Sequence, residues 1–375
     1  MATLKPTVLP AGSAFARVGV LLYALLIIYA SWYPFSGWHS NGLSPLAYLW
    51  SPPPHYWTLF DLLTNLVGYM PLGVLGVFAL YPKQRGASAL VLVALGGFLL
   101  SALMEAVQTF LPSRVASNLD LFSNGFGALV GALLGVLLAD SFLRNGRLLI
   151  VRQEWLTPAA SSGLAVLALW PLAQIFPQSY LFGHGQLLPI FSDWLSLLLE
   201  SHIDLGAALR HSPELSVEQY WLSETVISAC GMTGALLSMI CVLRERAPKF
   251  LLVVLLLAAA LVGKALASAL QFSPDYAFIW LTPGAQAGLL LGMVMLSGLI
   301  YAPPVAQRRV AALSLIISLL VVNAIPANPY FVSTLQTWVQ GKFLNFNGAA
   351  QFLSLMWPFM ALWFLYHPAH REKAR

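Results

Sequence analysis

The sequence predicts an all-α polytopic membrane protein of about ten transmembrane helices, with a four-helix unit repeated in parallel orientation. Three observations lead there. The chain has 375 residues, 59% of them hydrophobic and 9% charged, with a mean hydropathy of +0.77. Its apolar residues fall in runs near twenty long, the length a helix needs to cross a bilayer. Its basic residues sit in the short connections between those runs. A soluble domain would need far more polar surface. Helices are the natural spanning element, because backbone groups facing lipid must bond one another.

The elements follow in order. Residues 1–13 form a cytoplasmic lead-in. The first span, 14–33, ends in the bulky ASWYPF rather than in a small-residue cleavage site, and so reads as a retained helix. The second, 60–80, opens with Asp61 and Asn65, so a re-entrant segment is the competing reading. The third, 87–111, stops at Pro112, and the fourth covers 119–139. Residues 14–140 thus form one four-helix membrane domain, followed by a cytoplasmic linker at 141–155. Spans at 156–176, 221–243, 250–270 and 279–301 make up a second domain, 156–301. Spans at 309–327 and 346–366 close the chain within 302–375.

The long connection 177–220 has a pattern of its own. In IFSDWLSLLLESHIDLG, Asp193, Ser196, Glu200 and Asp204 share one helical face, and Trp194, Leu198 and Leu205 lie on the apolar side. This predicts an amphipathic helix near 190–206 lying on the membrane surface or packing between spans.

The net charge is +5 and the isoelectric point about 9.2. Position shows that this excess reports topology, not nucleic-acid binding. With both termini in the cytoplasm, Lys83, Arg85, Arg144, Arg147, Arg152, Arg244, Arg246, Lys249, Arg308 and Arg309 all lie inside. Arg114, Arg210 and Lys342 lie outside, as the positive-inside rule favours. The expected location is the cytoplasmic membrane, crossed many times with both termini inside. Cys230 and Cys241 fall in one predicted span, which gives no disulfide framework. The seven histidines show no metal-ligand spacing.

Two helix starts match. DLLTNLVG begins at Asp61 and DLFSNGFG at Asp120. In each, the Asp can accept from free first-turn amides, the Asn shares its face, and the Gly lets a neighbouring helix approach. A weaker echo spans four helices. YWTLFDLLTNLVGYMPLGVLGVFAL at Tyr56 is answered by YWLSETVISACGMTGALLSMICVL at Tyr220, and SALMEAVQTFLPSR by KALASALQFSPDY. The echo lacks the special polar residues: Glu105 falls opposite Ser268. A working first half and a scaffolding second half fit that pattern.

Polar residues concentrate in the first half. Glu105 lies near the end of its span, with Gln108 and Thr109 on the same face. Arg114 sits in the next loop, where it can form a charge-assisted pair with Glu105 or Asp120. Asp61, Asn65, Asp120 and Asn124 enter from the same side. Acids within the membrane usually line a functional path, and a buried ion-pair network is the structural reading. As chemistry, Glu105, Asp120 and Asp61 are candidate acid–base groups. Arg114, Asn65, Gln108 and Asn124 are candidate substrate contacts. The carboxylates Asp61, Glu105 and Asp120 are the natural oxygen ligands for a divalent cation such as Mg2+. Lys264, inside a span, would snorkel or pair with Glu224.

SALMEAVQTFLPSRVASNLDLFSNGFGALVGALLG resembles the VanZ-like family of membrane proteins. DLLTNLVGYMPLG resembles that family's earlier motif, carried here by Asp61, Asn65, Pro71, Leu72 and Gly73. WYPF at Trp32–Phe35 resembles its first outer corner. Glu105, Gln108, Arg114, Asp120, Asn124 and Gly127 carry the second signature. The resemblance covers about residues 15–140. It implies a small bacterial domain of four spans, whose namesake contributes to resistance to the antibiotic teicoplanin. The added degenerate copy and two terminal spans depart from the usual domain. Three functions remain open: binding or modifying an amphiphilic or lipid-linked substrate at the outer membrane face, secondary transport, or scaffolding of envelope protein partners.

Overall fold

The computed structural model describes residues 14–33, 35–40, 42, 44–52, 57–144, 154–157, 160–207, 215–326 and 344–367. Each of the expected apolar segments is helical. Among the described residues seven helices are long and apolar enough to cross a membrane, and the chain is a multi-pass membrane protein. It divides into two compact units, Met1–Gln153 and Glu154–Arg375.

The first unit holds α1 (Ala14–Trp32), α2 (Leu59–Leu80), α3 (Gly86–Gln108) and α4 (Asn118–Ala139). Helix α2 is continuous over 22 residues despite Pro71, so the re-entrant reading is corrected. Its start is defined by a capping box. Thr58 accepts from the Asp61 amide, and the Asp61 carboxylate accepts from the Thr58 amide. Helix α4 starts at the cap Ser117, whose hydroxyl accepts from the amides of Leu119 and Asp120. Each Asp therefore stands three residues inside its cap and is not itself the cap.

Between apolar helices in lipid, close packing replaces the hydrophobic drive, so small residues set the contacts. The tightest pair is α2 with α4. A Cβ on Gly127 would collide with the Leu66 carbonyl, one on Gly131 with the Met70 carbonyl, and one on Gly73 with the Ala128 carbonyl. Helix α1 runs antiparallel to α2: Tyr23 donates to the Gly68 carbonyl at 2.7 Å, and Arg17 to that of Ala79. Ile27, Tyr69, Leu72, Met104 and Ala128 join the four helices in one apolar cluster. Outside, Val91, Leu95, Leu99 and Leu103 leave α3 with an exposed apolar stripe at helical spacing.

The second unit holds α5 (Ala160–Ala173), α6 (Leu188–Leu199), α7 (Val217–Ile240), α8 (Lys249–Gln271), α9 (Pro283–Leu299), α10 (Pro304–Ala324) and α11 (Leu344–Tyr366). Helix α7 is its buried axis. Gly284, Gly288 and Gly292 seat α9 against it, and Gly234 admits Leu315 of α10. Trp357 on α11 donates to the Val166 carbonyl of α5 at 2.8 Å.

Helix α6 stops at Leu199 rather than running to 206, because Glu200 turns left-handed at φ 47°. Asn323 on α10 anchors its start, accepting from the Leu187 and Leu188 amides at 2.8 and 2.9 Å. Its serines face the protein, with Ser192 accepting from the Leu205 amide, while Phe191, Trp194, Leu197 and Leu198 are exposed.

The α2–α4 seam gives a direct test. Gly131→Leu forces two backbones apart, and overpacking of this kind costs about 1–3 kcal/mol or more. A Cβ at Gly68 meets no atom within 4 Å, so Gly68→Ala is expected to leave the thermal midpoint unchanged or slightly raised. Unfolding curves of the two purified variants in detergent check the contrast.

Candidate functional site

The sequence-predicted polar residues meet at one end of the first unit. That end is formed by the C-termini of α1 and α3 and the N-termini of α2 and α4. Glu105 lies one turn from the end of α3, closer than a span reaching Leu111 implied. It is 3% exposed, and its Oε2 accepts from the backbone amide of Ser117 at 2.8 Å. Ser117 thus does two things: its hydroxyl starts α4, and its amide ties that start to α3.

Comparison of the two helix starts shows the consequence. In α2 the cap amide, Thr58 N, is taken by Asp61. In α4 the corresponding amide, Ser117 N, is taken by Glu105 instead. The Asp120 carboxylate is thereby released from capping duty. It turns to α2, where Asn65 Nδ2 donates to Asp120 Oδ1 at 2.8 Å. Asp120 and Asn65 are half-buried, and Asp61 is exposed. Asn124 donates to the Ser101 hydroxyl at 3.0 Å, joining α4 to α3.

Arg114 does not pair with Glu105 or Asp120 as expected. Its Nε and Nη2 donate to the Tyr33 carbonyl at 3.0 and 2.6 Å, and Nη2 also donates to the Ala30 carbonyl at 3.0 Å. Gln108 donates to the Ser31 carbonyl at 3.0 Å. Both side chains therefore satisfy the open carbonyls at the end of α1, where the helix dipole favours positive charge. Burial pushes the Arg114 guanidinium down to about 10, with the Glu105 charge acting in the opposite direction. At neutral pH it remains a cation and serves as a helix cap.

The proposed metal set is not assembled. Among the described residues no three His, Cys, Asp or Glu side chains lie close enough to hold an ion. Asp61 is engaged by Thr58, Asp120 by Asn65 and Glu105 by Ser117, so Mg2+ finds no three-carboxylate site. The Lys264–Glu224 pair is also absent. Glu224 bonds Thr282 at the α7–α9 contact, and the Lys264 ammonium has no partner among the described residues.

Sequence reasoning missed Ser117, Thr58 and Tyr48. The caps were legible: Thr58–Asp61 and Ser117–Asp120 both have the spacing of a capping box. Tyr48 had no such signal. It is buried in a short 3-10 turn, Ala47–Leu49, and donates to the Ala102 carbonyl of α3 at 3.1 Å. The same end of the unit exposes Trp38, Trp50 and Trp57, amphipathic rings suited to a membrane–water boundary.

These bonds predict how stability is shared. Glu105→Ala leaves the buried Ser117 amide without an acceptor, a loss of about 1–3 kcal/mol. Glu105→Gln, which keeps a carbonyl oxygen, is expected to lose less. Arg114→Ala, which strips the α1 carbonyls, should fall near Glu105→Ala in a thermal-unfolding series in detergent. Near-wild-type midpoints for both alanine variants would contradict the assignment.

A family model described as VanZ/LLP1 matches residues 20–139, a stretch containing every candidate residue above. No curated protein and no solved structure matches the chain. A VanZ-like domain is therefore present at residues 20–139 of this multi-pass membrane protein.

Proposed function

We propose that the VanZ-like unit binds the polar headgroup of an amphiphilic or lipid-linked molecule at the outer face of a bacterial cytoplasmic membrane. Asp61, Asp120 and Asn65 are the contact groups in this reading. The observation that carries it is the release of Asp120: its cap amide is served by Glu105, and its carboxylate faces the neighbouring helix. With one oxygen on Asn65 and neither on its own cap, the Asp120 carboxylate keeps its second oxygen for a ligand beside the exposed Asp61. The outward orientation rests on the bias of basic residues toward the opposite side. The exposed Trp38, Trp50 and Trp57 suit the headgroup layer at that end.

Because Arg114 is committed to carbonyls, the site is acidic. It suits amine- or hydroxyl-bearing headgroups rather than phosphate. Where the molecule is modified as well as bound, Asp120 and Asp61 are the acid–base groups and Glu105 positions Asp120. Transport along the α2–α4 seam is disfavoured, since Gly127 and Gly131 close it against backbone. In the full topology we read ten spans and take residues 156–301 as a degenerate copy of the first domain, with its own glycine stripe Gly284, Gly288 and Gly292 on α9.

One observation favours scaffolding as a second reading: Glu105, Gln108, Arg114 and Asn124 all have partners within the protein. A single experiment separates the two. Wild-type protein, D61N, D120N and the double variant are purified from bacterial membranes, and co-purified amphiphiles are identified by native mass spectrometry. Retention of an amine- or hydroxyl-rich amphiphile by the wild type, lost in the folded double variant, is expected. Equal retention by all four, or none by the wild type, would leave the scaffold reading in place.

A further inference from the structure

The second unit buries a polar cluster that includes a lysine. Lys264 on α8 is 3% exposed, and its ammonium has no hydrogen-bond partner among the described residues. An ion left buried and unpaired costs several kcal/mol in practice. Gln174 Oε1, Gln178 Oε1 and the Trp170 indole N–H are also buried without partners. Several such groups in one small region are unusual, since buried polar atoms are nearly always bonded.

The two glutamines flank His184, and Lys264 lies near enough for its charge to act on the ring. Its Nε2 lies 2.6 Å from Gln174 Nε2, and its Nδ1 lies 2.7 Å from Gln178 Nε2. A neutral imidazole donates at one nitrogen and accepts at the other, so one of the two amides presents its oxygen to the ring. Burial, and then the charge of Lys264, push the His184 ring down to about 3. The histidine is therefore neutral at physiological pH, and Lys264 is the group of the cluster that can bring a positive charge to a bound anion.

Packing brings α8 to this place. Gly263, next to Lys264, lies against the Pro171 carbonyl of α5. Two turns further along the same face, Gln271 donates to the Ile175 carbonyl at 2.9 Å. Aromatic rings form the surroundings: Trp170 lies 5.0 Å from Phe182 and 6.0 Å from Trp357, and His184 lies 5.8 Å from Trp357. The acid expected to neutralise Lys264, Glu224, is committed to Thr282.

We propose that Lys264, the Trp170 indole, His184 and the Gln174 and Gln178 amides form a buried site for a small monovalent anion, a halide or a carboxylate. One cation beside a neutral histidine matches a single negative charge, whereas a dianion such as sulfate would remain half unpaired. The ammonium has three N–H donors, enough for the anion and for the amide oxygen that the ring leaves open. The aromatic surroundings exclude water and strengthen the attraction. The site belongs to the second unit and does not depend on the headgroup reading of the first.

Equilibrium dialysis of the full chain in detergent tests it, with radiolabelled chloride and radiolabelled acetate in separate arms and sulfate setting the ionic strength. Saturable binding at a single site is expected in at least one arm, chloride alone marking a halide site and acetate a carboxylate site. Lys264→Met, matched in shape and uncharged, should lose that binding. Trp170→Phe, which keeps the lysine, should weaken it. No saturable binding of either anion by the wild type, which would mean the cluster is only hydrated, overturns the proposal. So does undiminished binding by folded Lys264→Met. Should Lys264→Met fail to fold, undiminished binding by Trp170→Phe overturns the assignment of the indole.

Discussion

The first unit depends on one hydrogen bond, from the Ser117 amide to the Glu105 carboxylate. It joins the end of α3 to the start of α4 within a short connection. It also changes the role of a neighbour. A helix start of this type normally spends its third-position acid on the cap amide, as Asp61 does for Thr58. With Glu105 occupying that role on α4, Asp120 faces α2 and meets Asn65. One buried acid thus makes another available, and the functional reading begins there.

Helix approach and polar bonding reinforce each other in this unit. The glycines of α4 bring its backbone against that of α2, close enough for side chains as short as Asn and Asp to bridge the pair. Arg114 and Gln108 hold the end of α1 by its carbonyls. In a low-dielectric environment each of these groups would be costly if left open. Most of the charge at this end is therefore accounted for by pairing, and the exposed Asp61 with the half-buried Asp120 is what remains to meet a ligand.

The second unit uses similar packing with a different polar balance. Its glycine stripe on α9 serves α7 as that of α4 serves α2. The start of α6 is held by Asn323 of α10. Around Lys264, however, donors and acceptors are left over on facing elements. A buried ammonium is the costliest of these groups to leave open, and a bound anion supplies a partner for it.

Much of this was legible in the linear chain. Hydropathy set the helices, because a backbone in lipid has few ways to bond itself. The Asp–x3–Asn pattern and the small-residue spacing marked α2 and α4 as partners, and the VanZ-like motifs marked the same residues. The partners of the long side chains were not legible. Arg114 was expected to meet an acid, yet it caps α1, because the chain folds back to place two open carbonyls within its reach. Lys264 was expected to meet Glu224, yet that acid is held by Thr282 on another helix face. The sequence alone determined which segments are helical and which residues are polar within them, since both follow from local chemistry. Only the tertiary structure decided which polar groups are paired and which are left for a ligand, because bonds spanning 77 or 84 residues, such as those of Gln108 and Arg114, depend on how helices are brought together and not on their order.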